Sequence, residues 1–274
     1  MKTKLFLAVA TAVLLSSNPF TPSAFAGDAT TELKALVEKI RADLADGKTN
    51  KNDLAGDMKQ FDVLLASHQG EKTDAVANFA YMKAMLYDQV FHDQAKAAEL
   101  VKQLKIDFQG TEFVAAMEKR ESAQMAAQKM QAALTVGAKF PDFNEKDVAG
   151  KPLSIASYKG KVVLLDFWAT WCGPCRAELP NVIATYKKYH DQGFEIIGVS
   201  LDQDQAKLTG FTKSMNMTWP QFFDGQGWQN KLAVKYGIAS IPATFLLNGE
   251  GKIIGKDLRG DALEAAVAKT LANK

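Results

Sequence analysis

The stretch L164-LDFWATWCGPCRAEL-P180 holds both cysteines of a 274-residue chain, Cys172 and Cys175, and they stand three apart at the end of an apolar run. Three uses are open to such a pair: a covalent staple, a metal clip or a reagent. As a staple it is weak, because closing a loop of about four residues is worth roughly 2 kcal/mol on the chain-entropy estimate, against about 4.7 kcal/mol for a 100-residue loop. As a zinc site it is incomplete, since a tetrahedral site needs four ligands and the chain offers only three histidines besides. Arg176 follows directly, so the C-x-x-C-H pattern of haem attachment is absent.

The spacing suits a reagent. Residues i and i+3 of a helical turn lie about 5–6 Å apart, close to what a disulfide requires. Cys172 is expected at a helix start, where unpaired N–H groups and the positive dipole end favour a thiolate. It would be the attacking sulfur, and Cys175, one turn further in and more buried, would resolve the mixed disulfide. Gly173 and Pro174 suit the tight start, proline being preformed for a first helical turn.

Outward from this stretch, short apolar runs alternate with helical ones. "KVVLLDFW" (161–168), "FEIIGVSL" (194–201) and "ATFLLN" (243–248) read as buried strands, and "KIIGK" (252–256) as a hairpin partner of the last. Helices are expected at 174–190, 204–216, 228–236 and 261–272. Alternation of this kind predicts an α/β sandwich with the cysteines at the carboxyl end of a central strand.

The quoted motif, with "FPDF" (140–143) and "GKPLSIASYKGK" (150–161), resembles the thioredoxin-like superfamily, in particular its exported TlpA/ResA-type branch. The resemblance covers about 137–272, including the 201–224 insertion typical of that branch. It implies a central mixed sheet flanked by helices and thiol-disulfide exchange without a cofactor. It also implies that Ile241-Pro242 in "GIASIPATFLL" is a loop with a cis proline facing the sulfurs, and that Trp171 is a surface residue beside the motif. These three, with Gly173 and Pro174, would contact substrate. Asp166 matches the buried aspartate of thioredoxin, a departure from the many TlpA-type chains with a neutral residue there. Burial would raise its pKa and suit it to exchanging the Cys175 proton. Glu178 matches an active-site glutamate of the exported branch, which adds it to Cys172, Cys175 and Asp166 as a candidate catalytic residue. Trp168 reads as packing, Trp219 and Trp228 as core or cap residues, and Pro180 as a kink in the active-site helix. The peroxidase pattern P-x-x-x-[TS]-x-x-C does not surround Cys172.

The front of the chain has a different texture. From Thr30 to Leu134 there is no proline and there are four glycines, in a background of Ala, Lys, Glu, Gln, Leu and Met. Helices are expected at 33–46, 51–67, 73–91, 94–107 and 112–134. The pair from Ala75 to Ile106 resembles a tetratricopeptide-type hairpin without a clear 34-residue repeat. His68 and His92 read as surface or capping residues. The expected division is a signal peptide at 1–26, a helical domain at 27–135, and a thioredoxin-like domain at 136–274.

Lys2 and Lys4, the apolar run Leu5–Leu15 and Ala24-Phe25-Ala26 make the first 26 residues a secretory signal cleaved after Ala26, too short in its apolar part to span a membrane. Without them the chain has 31 basic and 31 acidic residues, so charge gives no reason to expect a nucleic-acid partner. Location is expected to be periplasmic or secreted. Partners would be exported proteins carrying disulfides and a membrane thiol reductase as electron donor. A disulfide oxidase or isomerase, and a client-binding chaperone with an incidental redox pair, are the competing functions.

Overall fold

The computed structural model describes residues 27–273; the expected signal peptide lies outside them. The chain forms two compact units whose boundary falls between Glu121 and Ser122.

The first unit is helical: α1 (Gly27–Ala45), α2 (Ala55–Ser67), α3 (Asp74–Gln89), α4 (Gln94–Asp107) and the start of α5 (Glu112–Ala133). The 3.6-residue period of Leu33, Leu36, Val37, Ile40 and Leu44 puts all five on the buried stripe of α1, where they pack with Leu54, Phe61, Phe79 and Leu86. Thr73 caps α3 by accepting the Val76 N–H, and Asp93 caps α4 by accepting the Lys96 N–H at 3.1 Å. Asp74 reaches across to accept the Phe113 N–H at 2.9 Å, fixing the start of α5. His68 is the C-cap of α2, in keeping with its reading as a surface or capping residue. Its ring sits between Glu32 (Nε2, 2.8 Å) and Glu71 (Nδ1, 3.1 Å), stacked on Phe79 with its side chain largely covered. Two carboxylates converging on one imidazole could not be read from spacing, since Glu32 is contributed by another helix.

The second unit is built on a five-stranded sheet in the order β5-β4-β3-β6-β7, from β3 (Val162–Trp168), β4 (Phe194–Ser200), β5 (Gln221–Phe222), β6 (Ala243–Leu247) and β7 (Ile253–Lys256). β3 runs parallel to β4 and antiparallel to β6, which pairs antiparallel with β7. Its central place explains its apolar run, interrupted only by Asp166, every residue of β3 being buried. A small hairpin, β1 (Glu145–Lys146) with β2 (Pro152–Leu153), precedes the sheet. Helices α6 (Gly173–Tyr189), α7 (Gln205–Ser214), α8 (Lys231–Lys235) and α9 (Gly260–Ala272) complete the unit. The two-residue strands β1, β2 and β5 are too short to leave a periodic signal.

The last turns of α5 belong to this second unit. Gln131 Nε2 donates to the Tyr236 carbonyl at 2.6 Å, Leu134 is buried in the sheet's core, and Gly237 closes against the backbone of Ala127. No helix among the described residues is long and apolar enough to cross a membrane.

Candidate active site

Strand β3 ends at Trp168, and four residues carry the chain into α6. Cys172 is the N-cap of that helix, with Pro174 in its first turn. The two sulfurs form a disulfide, Cα atoms 5.3 Å apart. The Cys175 N–H donates to Cys172 Sγ at 3.2 Å, so a helix-start amide already points at the sulfur that would carry negative charge on reduction. The expected contrast in burial between the cysteines is slight: Cys172 is 5% exposed and Cys175 3%. What distinguishes them is position on the helix, because only Cys172 receives a backbone N–H at its cap.

The loop before the disulfide is held by Asp202, a buried residue just beyond the end of β4. Its carboxylate accepts the Thr170 N–H at 3.0 Å, the Thr170 hydroxyl at 2.6 Å and the Ser200 hydroxyl at 2.8 Å. Trp168 is packing, as its place in the strand suggests: it is buried, and its Nε1–H donates to Gln221 Oε1 at 3.0 Å. Gly198 makes room for that partner, since a Cβ there would lie 2.0 Å from Gln221 Oε1.

Opposite the disulfide, the Ile241-Pro242 peptide bond is cis, and the Ile241 carbonyl oxygen lies 3.8 Å from Cys172 Sγ. Arg259 secures this loop. Its Nη2 donates to the Pro242 carbonyl at 3.0 Å and its Nη1 to Thr244 Oγ1 at 2.8 Å. The next residue, Gly260, donates its N–H to Glu178 Oε1 at 2.7 Å. The turn into α9 therefore grips both the proline loop and the active-site helix.

Asp166 pairs in register with Gly198 on one side and Thr244 on the other. A cavity of about 10 Å³, room for about one water, is bordered by Asp166, Cys175, Glu178, Pro242, Thr244 and Arg259. Burial pushes the Asp166 carboxyl up to about 7; the Arg259 charge opposes this and the Glu178 charge adds to it. A carboxyl near neutrality facing the inner cysteine can take or return a proton at ordinary pH.

Trp171 is 54% exposed, beside Cys172. Trp219 is buried, but Trp228 is neither core nor cap: it is 46% exposed, its ring centroid 6.2 Å from that of Trp171. Gly173 and Pro174 are exposed at the helix start, and Ile241 and Pro242 half-buried. Asp202 and Arg259 escaped the sequence reading, and Trp228 was read only as a core or cap residue. For Asp202 a signal existed, an acidic residue just past the carboxyl end of a strand, where α/β sites gather. Among the described residues no group of acidic, His or Cys side chains could hold a metal ion.

A mixed sheet with a Cys-Gly-Pro-Cys disulfide at the head of the helix after its central strand defines a thioredoxin-like thiol-disulfide oxidoreductase. The model of the AhpC/TSA family matches residues 136–256. Thiol-disulfide oxidoreductase ResA of Bacillus thuringiensis subsp. konkukian is 33% identical over 128 residues, 47% of this chain and 72% of that protein. ResA of Bacillus subtilis is 33% identical over 134 residues, 49% of this chain and 73% of that one. The thioredoxin domain of a Bacteroides vulgatus thiol-disulfide oxidoreductase is 34% identical, covering 50% of this chain and 99% of that one with a TM-score of 0.47. The chain belongs to the AhpC/TSA thioredoxin-like family and is a thiol-disulfide oxidoreductase of the ResA type.

Proposed function

We propose that the protein is an exported reductant of disulfides in other exported proteins, apocytochrome c cysteines being one class of client. In the reduced protein the Cys172 thiolate attacks one client sulfur. The client S–S bond breaks, one client sulfur leaves as a thiolate and takes up a proton, and Cys172 is joined to the other. Cys175 then loses its proton to Asp166, directly or through one water, and attacks Cys172. The second client thiolate leaves, and Cys172–Cys175 is left oxidised, two electrons having passed to the client. A membrane thiol reductase would restore the dithiol by the reverse exchange.

The observation that carries this reading is the cavity shared by Asp166 and Cys175, because release of a reduced client requires a proton to leave the inner thiol. The Gly-Pro dipeptide between the cysteines supports the same direction, being that of thioredoxin, at about −270 mV, whereas the strong oxidant DsbA lies at about −120 mV. Export rests on the basic start, apolar run and small-residue cleavage pattern of residues 1–26, and the client class on family analogy.

Two measurements test the proposal. Equilibration of the intact protein with dithiothreitol or glutathione buffers should place its potential near that of thioredoxin; a value near −120 mV, that of DsbA, makes it an oxidase. Cys175→Ser should accumulate mixed disulfides with clients and Cys172→Ser should not, and equal trapping by both would remove the assignment of attacker and resolver.

A further inference from the structure

Burying a large apolar side chain stabilises the fold, so most indoles are covered. Trp171 and Trp228 are not, and they differ from scattered surface apolar residues in touching each other, with ring planes at 57°.

Their mounting is unusually firm. Trp228 sits in the 3-10 turn Gly227–Gln229, pinned on both sides. Before it, Asp224 accepts the Gln226 N–H at 3.0 Å; after it, Asp224 accepts the Lys231 N–H at 2.7 Å. Asn230, fully buried, donates to the Ser200 carbonyl at 3.2 Å and accepts the Leu232 and Ala233 N–H groups at 3.0 and 3.1 Å. Trp171 is steadied from the same strand end, through Thr170 on Asp202, itself bonded to Ser200. One short stretch, Ser200 to Asp202, thus fixes both loops. Rigid aromatic residues gain contact area at low entropic cost, which is why they dominate binding hot spots.

We propose that Trp228 is a specificity-determining residue: with Trp171 it forms a preset aromatic platform that receives an apolar side chain flanking the reactive cysteine of a client polypeptide. The occupant follows from adjacency. A client sulfur in line with Cys172 brings its neighbouring residues over Trp171, the residue just before it in the chain, and the surface met there is a pair of indoles in contact. The inference rests on the reading of Cys172 as client-reactive.

The test uses peptides in which the reactive cysteine is replaced by serine, so that no exchange can occur, flanked by phenylalanine in one series and glycine in the other. Binding of each fluorescently labelled peptide to the intact oxidised protein is followed by anisotropy. The phenylalanine series should bind about five-fold or more tightly than the glycine series, the loss expected for an interface residue worth over 1 kcal/mol. Trp228→Gln should abolish that preference and Trp228→Phe, which keeps a ring at a half-exposed position, should retain part of it. Equal affinity of the wild type for the two series, or a preference that survives Trp228→Gln, would overturn the proposal. Failure of the protein to reduce disulfides would instead count against the redox direction, since these peptides undergo no chemistry.

Discussion

Asp166 of the central strand and Cys175 of the active-site helix border one cavity large enough for about one water, with the carboxyl held near neutrality by burial. Attack by Cys172 needs no proton removed from the inner thiol, whereas resolution does. Asp166→Asn should therefore slow resolution by about 10-fold or more and leave the first attack much less affected. Stopped-flow reduction of a model disulfide separates the two steps. Unchanged resolution would make Asp166 structural.

The same carboxyl makes folding pH-dependent. An ordinary aspartate titrates at 3.8 and this one, folded, at about 7, so the native protein binds more protons than the unfolded chain between those values. Stability should fall as pH rises from about 4 to about 7 and level off above. The difference between the two values corresponds to about 4 kcal/mol. Asp166→Asn should remove this slope and be the more stable protein at pH 8, by up to about 4 kcal/mol. Urea unfolding of the oxidised protein at about pH 5 and about pH 8 reads both effects.

In the helical unit, His68 has the opposite chemistry and the same sign. Both ring nitrogens face carboxylates, so both must donate, which only the imidazolium can do. The hydrogen bond to Glu32, with a smaller one to Glu71, raises its pKa against the effect of burial. Its stabilising contribution is complete below about pH 6.5 and is lost as pH rises through the higher folded value. The His68 C2–H resonance should titrate above the ordinary histidine range, and His68→Gln should flatten the pH dependence of thermal unfolding in that window.

Gly237 follows α8 with φ +65°, and a Cβ there would lie 2.6 Å from the carbonyl oxygen of Ala127. Neither the left-handed backbone nor the clash with main chain is relieved by rotating a side chain. Gly237→Ala should cost about 2 kcal/mol or more, measured as a drop in the denaturation midpoint with unchanged cysteine content.

The elements that position the disulfide were legible because their signals are local. An apolar run bounded by turn residues gives β3, and Cys-Gly-Pro-Cys at its end gives the head of α6. Asp166 stood out as the one acid in an otherwise apolar strand. Arg259 gave no such signal: it lies 17 residues from the proline carbonyl it holds, and only the β6-β7 hairpin brings the two together. Trp228 was misread for a related reason. A tryptophan in a turn is buried or exposed according to what the rest of the chain places over it, and here its ring neighbour is another exposed tryptophan.

Helix α5 also bears on how the molecule can be divided. Composition changes near residue 136, and the family match begins there, so a cut at that point would look natural. It would sever Leu134 from the apolar interior it fills, Gln131 from the Tyr236 carbonyl and Ala127 from its seat on Gly237. A thioredoxin-like fragment expressed from residue 136 would carry an open seam along its flank, prone to aggregation and proteases. One begun at Ser122 would carry its own lining.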